Sequence, residues 1–88
     1  MKILDLSSDD LFLLYQDYIH ENATESIKDN AFCIIENDDN VLAGADYLYN
    51  DFLLWLKQKE NFLDDEVSMF ITLHGDYIYN NIVSELTN

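Results

Sequence analysis

Carboxylates dominate what this chain is equipped to do. Eighteen Asp and Glu residues stand against four Lys and Arg combined, giving a formal net charge of −14. The remaining reactive groups are His20, His74 and the single cysteine, Cys33. A pair of carboxylates can do acid–base chemistry when one of them is desolvated enough to hold a proton near neutrality. In a chain this acidic, close pairs arise from composition alone, and no spacing marks one of them out. His20-Glu21 opens like the zinc motif HExxH, but the chain continues Asn22-Ala23-Thr24 and the second histidine is absent. Asp17 and Glu21 lie one helical turn apart, and Asp38-Asp39-Asn40 offers further oxygens. Neither has the alternating ligands and distal glutamate of a calcium loop. His74 sits on an apolar face, where a hydrogen-bonded core histidine is expected rather than a ligand. Cys33 lies in the run Ala31-Phe32-Cys33-Ile34-Ile35 and cannot form an internal disulfide. The expectation is a buried, unreactive thiol in a reducing compartment. There is no glycine-rich phosphate loop. The residues therefore predict a protein that is not an enzyme, with no catalytic, cofactor-binding or metal-binding position.

One pattern points to function. Tyrosines stand repeatedly beside Asp or Asn: Asp17-Tyr18, Asp46-Tyr47-Leu48-Tyr49-Asn50-Asp51 and Asp76-Tyr77-Ile78-Tyr79-Asn80. On a helix, residues two apart point about 200° from each other, so a Tyr-x-Tyr pair cannot face one core together. Tyr49 is expected to turn inward and Tyr47 to lie near the surface, while Tyr77 and Tyr79 flank the apolar face of the last segment. Rigid aromatic area beside carboxylates suits a protein-binding surface whose acids steer and pair with Lys or Arg. The candidate partner-binding residues are Asp46, Tyr47, Asn50, Asp51 and Leu54 in the central segment. Asp17 and Glu21 join them from the first helix, and Asp76 and Asn80 from the last. Leu54, Met69 and Leu73 supply apolar anchors that solubility alone does not need. The same charge argues against direct binding of nucleic acid, which needs cations for its phosphates. It disfavours anionic membranes for the same reason.

The elements that must position these residues follow from periodicity. The clearest is Val41–Gln58, where Val41, Ala45, Leu48, Tyr49, Phe52, Trp55 and Leu56 fall within a face about 120° wide. Asn40 is its candidate N-cap, and Lys57 and Lys59 lie at its end, where the helix dipole favours cations. Gly44 inside it permits a close helix crossing. Upstream, residues 1–6 suit a short extended lead-in with Ile3 and Leu4 against the core. A helix over about 8–22 follows the cap candidates Ser7-Ser8 and the acids Asp9-Asp10. It places Leu11, Leu14, Tyr15, Tyr18, Ile19 and Asn22 on one face. A second helix over about 25–37, capped by Thr24 or Ser26, places Ile27, Ala31, Ile34 and Ile35 together. Residues 31–35 would also suit a strand entering a turn, but no strand partner lies nearby to satisfy its backbone, so helix is the expectation. The last helix, about 65–86, groups Val67, Phe70, Ile71, His74, Ile78 and Ile82. A second stripe runs through Met69, Leu73, Asp76, Asn80 and Val83. Leu63 is placed to act as a hydrophobic staple before it, and Gly75 to bend or split it.

Eighty-eight residues with 49% hydrophobic content, no proline and two glycines predict one ordered all-α domain spanning 1–88. The architecture expected is a compact bundle of three to four helices with short polar turns, most simply antiparallel. MKILDLSSDD lacks the apolar segment of a secretion signal, and no stretch approaches the ~18 residues of a membrane span, so a cytoplasmic protein is expected.

In size, charge and helical character the chain resembles the cognate immunity proteins made beside bacterial nuclease toxins. These accompany the colicins, contact-dependent inhibition systems and related secreted toxins. The resemblance implies a cytoplasmic inhibitor that covers the cationic cleft of a basic nuclease, with carboxylates standing where substrate phosphates would. It carries no functional position over residue by residue. Two other readings share parts of the evidence. A phage-type nucleic-acid mimic would use similar electrostatics against a host DNA-binding enzyme, and a structural or regulatory homodimer would use the Met69–Leu73–Val83 stripe as its seam.

Overall fold

Capping side chains set the ends of most of the helices in the computed structural model, which describes residues 5–22 and 25–87. The elements are α1 (Ser8–Glu21), α2 (Glu25–Asp38), α3 (Val41–Glu60) and α4 (Asp64–Thr87). Ser7 opens α1 through a capping box. Its hydroxyl accepts the Asp10 amide proton at 3.2 Å, and Asp10 accepts the Ser7 amide proton at 3.0 Å. Asn40 caps α3 by accepting from the Leu42 amide at 3.0 Å. Before α4, the Leu63 amide donates to the Glu66 carboxylate at 2.9 Å.

Two tight reversals replace glycine with Asx residues. Asp39 (φ 49°) and Asn61 (φ 53°) take up the left-handed conformation directly after α2 and α3. In each case the next amide reaches back five residues, Asn40 to the Ile35 carbonyl at 3.3 Å and Phe62 to the Lys57 carbonyl at 3.0 Å. This is the Schellman ending, and Asp and Asn are the non-glycine residues that tolerate it best.

α3 runs antiparallel to both α2 and α4. Gly44 faces Ala31 and Ile35, and Tyr47 faces Asn30, so rising numbers on α3 match falling numbers on α2. The same holds across α3 and α4, where Lys57 meets Asp64, Phe52 meets Phe70 and Asp46 meets Tyr79. α3 touches every other helix and forms the spine of a body 38 × 22 × 20 Å in extent. The all-α bundle expected from sequence is the fold, and residues 31–35 are helical.

The core is aromatic on one side and small on the other. Tyr18 and Phe52 meet edge-on at 5.2 Å, Trp55 packs 5.5 Å from Tyr18, and Phe70 lies 6.1 Å from Phe52. Tyr18, Phe52 and Phe70 join Leu48, Leu56, Ile78 and Ile82 in a fully buried cluster, with Trp55 partly buried against it. α2 buries only Ala31 completely and approaches α3 at Gly44. A Cβ on Gly44 would stand 2.9 Å from the Ala31 carbonyl oxygen and 2.6 Å from Ile35. Glycine is what lets the two backbones come this close.

Several local expectations are corrected. Cys33 is exposed, not buried. A five-residue apolar run on a helix passes through more than a full turn, so with Ala31, Ile34 and Ile35 inward, Phe32 and Cys33 must point out. α4 is continuous through Gly75, which does not split it. The glycine is buried, and a Cβ there would collide with the Tyr49 hydroxyl. Leu63 is 70% exposed and is no staple; Phe62, one residue earlier, is buried and Val67 packs on the same core. Ser26 lies within the first turn of α2 and cannot cap it. Ile71, expected inside, is 41% exposed. The suggested cap Thr24 and the lead-in residues Ile3 and Leu4 lie outside the described residues.

Candidate partner-binding surface

The nine candidate residues separate into two groups. Asp17, Glu21 and Asp51 lie along the seam between α1 and α3. Asp46, Asn50 and Leu54, at intervals of four, form the outward stripe of α3, while Asp76 and Asn80 share the outward stripe of α4 with Met69 and Leu73. Tyr47 stands at the α2 edge of α3.

On the seam, carboxylates are used for internal bonding. Asp51 is half-buried, and one of its oxygens accepts from the Tyr18 hydroxyl at 2.8 Å and from the Asn22 amide at 2.7 Å. The Tyr18 hydroxyl also lies 3.3 Å from the Leu48 carbonyl, a second, longer acceptor for the same proton. Burial, reinforced by the hydrogen bond to Asp51, holds the Tyr18 phenol far above its ordinary pKa. Two turns further along α3, Lys59 donates to both Glu21 oxygens at 3.0 and 2.9 Å, lies 4.0 Å from Asp17, and sits over the Trp55 ring at 4.9 Å. The Lys59 hydrogen bond draws the Glu21 carboxyl below its usual range, and Glu21 raises Lys59 in return.

The outer face has a different character. Asp46 is exposed and accepts from the Tyr79 hydroxyl at 2.9 Å, a bond that fixes α3 to α4 at the rim of their groove. Burial, then the bond to Asp46, raises the Tyr79 phenol; burial, then the charge of Asp76, raises Tyr49. Tyr49 and Tyr79 meet edge-on at 5.4 Å between the two outward stripes. Further along, the groove is lined by Asn50, Leu53, Leu54, Val67 and Ser68, with the Lys57–Asp64 ion pair at its end. Leu54 is 62% exposed, Met69 46% and Leu73 48%. Tyr47 is half-buried against the core, with its hydroxyl accepting from Asn30 at 3.3 Å. The outer face thus presents acids, amides and large apolar side chains with its aromatic rings partly sunk between them.

Cations do little to offset this. Each described lysine is already committed: Lys28 to Glu85 at 3.1 Å, Lys57 to Asp64, and Lys59 to Glu21. Among the described residues no charged side chain is fully buried, so the remaining carboxylates project a nearly unopposed negative field. No three His, Cys, Asp or Glu residues among those described converge into a group suited to holding a metal ion, and no described helix is long and apolar enough to cross a membrane.

The neutralising role of Lys59 and the structural role of Asp51 were not foreseen from sequence, although Asp51 follows Leu48 by three residues and Tyr18 already lay on the inward face of α1. The two-sided wheel around Trp55 was the available signal. Comparison of the chain with protein-family models, curated proteins and solved structures finds no match.

Proposed function

We propose that this domain is an inhibitory binding protein for a cationic protein, most economically an immunity protein that occludes the nucleic-acid cleft of a cognate basic nuclease toxin. The observation that supports this reading is the outer α3–α4 face. It carries Asp46 and Asp76 together with exposed Leu54, Met69 and Leu73, and the described lysine that lines its groove, Lys57, is paired with Asp64. A solubility surface has no need of three exposed apolar anchors beside its carboxylates. An interface that must meet a basic cleft needs both: charge to guide encounter and apolar or aromatic contact to hold the complex. The bonded acids on the α1–α3 seam take part less directly, because their oxygens already have donors.

Co-expression is the test. A basic nuclease domain encoded beside this chain is expected to be lethal when expressed alone and harmless when expressed with it. Protection that is absent, or that survives Leu54→Asp combined with Asp76→Lys, would reject the assignment to this face.

A further inference from the structure

A second surface, on the far side of the molecule from the α4 stripe, has a more defined chemistry. Asp5, Asp10, Asp17 and Glu60 line a groove of about 350 Å³ together with Leu6, Leu13, Leu14 and Lys59. Leu14 is buried, but Leu13 is 59% exposed, a large apolar side chain set among acids at the surface. Lys59 reaches the same groove, held by Glu21 at 2.9 Å and 4.0 Å from Asp17, so one ammonium stands against the four groove carboxylates and Glu21. Asp10 spends one oxygen on the Ser7 amide and keeps the other. The lining therefore combines net negative charge with apolar surface.

That pairing matches one class of side chain. Arginine and lysine carry an apolar stem that packs on hydrocarbon and a cationic head that seeks carboxylates. We propose that this groove seats an arginine- or lysine-bearing chain segment of a protein partner, with the stem on Leu13 and Leu6 and the head among Asp5, Asp17 and Glu60. The proposal deepens the reading of a cationic protein partner and rests on it, adding a second point of attachment at the α1 edge. The acidic stretch Glu36–Asp38–Asp39 at the end of α2 is the internal control. It is exposed and densely charged but is not built on leucines.

The experiment is an amide NMR titration of the full chain with a blocked Arg-Leu-Arg tripeptide, and with blocked Glu-Leu-Glu for comparison. Saturable shifts are expected at Asp5, Leu6, Leu13, Asp17 and Glu60, persisting at physiological salt. Shifts at Glu36, Asp38 and Asp39 should be non-saturating and screened away. Leu13→Ser, at an exposed position, should leave the spectrum folded and weaken the saturable binding roughly tenfold, the loss expected when one leucine contact is given up. Shifts spread equally over the α2 stretch, or binding indifferent to Leu13→Ser, would overturn the groove assignment. Failure of the inhibitor reading shows itself differently, as absence of protection from the nuclease, and leaves the peptide titration standing.

Discussion

On the side of α3 that meets α1, Asp51 accepts two hydrogen bonds and Lys59 collects two carboxylates. On the side that meets solvent, Asp46 has one exposed bond to Tyr79, while Asn50 and Leu54 face outward beside the α4 stripe. The residue types are alike and their consequences are not. A carboxylate with donors fixed around it in a half-buried seam contributes to holding two helices together. A carboxylate in water contributes field and little else. The first region should thus respond to mutation through stability, the second through binding. Substitutions that cross this division are the way to break it.

The largest effect belongs to the inward side. Gly44→Val should force α2 away from α3, because its Cβ would meet the Ala31 carbonyl as well as Ile35, and backbone cannot yield as a side chain does. A loss of about 3 kcal/mol or outright failure to fold is expected, read from urea unfolding. Asp51→Ala comes next. It leaves Asn22 without its acceptor and Tyr18 with only the longer bond to Leu48, and should cost about 1–3 kcal/mol. The unfolding midpoint should move while the rate of association with a cationic protein stays nearly the same.

The inward face of α1 sets a pH dependence. Tyr15 and Tyr18 are held well above the ordinary phenol pKa, chiefly by burial. Above about pH 10 the unfolded chain loses phenolic protons that the native chain keeps, so stability should be intact below that pH and fall as pH rises beyond it. Phenolate absorbance and unfolding should therefore rise together, and Tyr18→Phe should shift the alkaline transition. A smaller change, in the opposite direction, is expected at the α2–α3 reversal. Asp39→Gly relieves a left-handed non-glycine residue and removes a negative charge from the negative end of α2, for a gain of about 0.5–1 kcal/mol in thermal or urea unfolding.

Periodicity made most of the fold legible. Val41, Ala45, Leu48 and Phe52 set the inward face of α3 without any knowledge of its neighbours, and Ser7 and Asn40 announced two helix starts. What periodicity could not supply was anything depending on which helices touch. Cys33 read as buried because its neighbours in sequence are apolar, whereas burial follows the wheel. Gly75 read as a break because its partner, the Tyr49 hydroxyl, comes from another helix. Asp51 and Asp46 looked equivalent on α3 until Tyr18 and Tyr79 arrived from α1 and α4 to give them different surroundings. The candidate surface was legible as a set of side chains, and its division into seam and outer face was not.

The central claim is that the outer α3–α4 face exists to meet positive charge on another protein. Its most direct test is the association rate between this domain and the basic nuclease domain that the proposal requires as its partner, measured across ionic strength for the native chain and for Asp46→Lys combined with Asp76→Lys. The account predicts fast association that slows steeply with salt, and a much slower, less salt-dependent rate for the double variant at an unfolding midpoint within about 0.5 kcal/mol of the native chain. Equal rates for the two chains, or no complex at low salt, would contradict it.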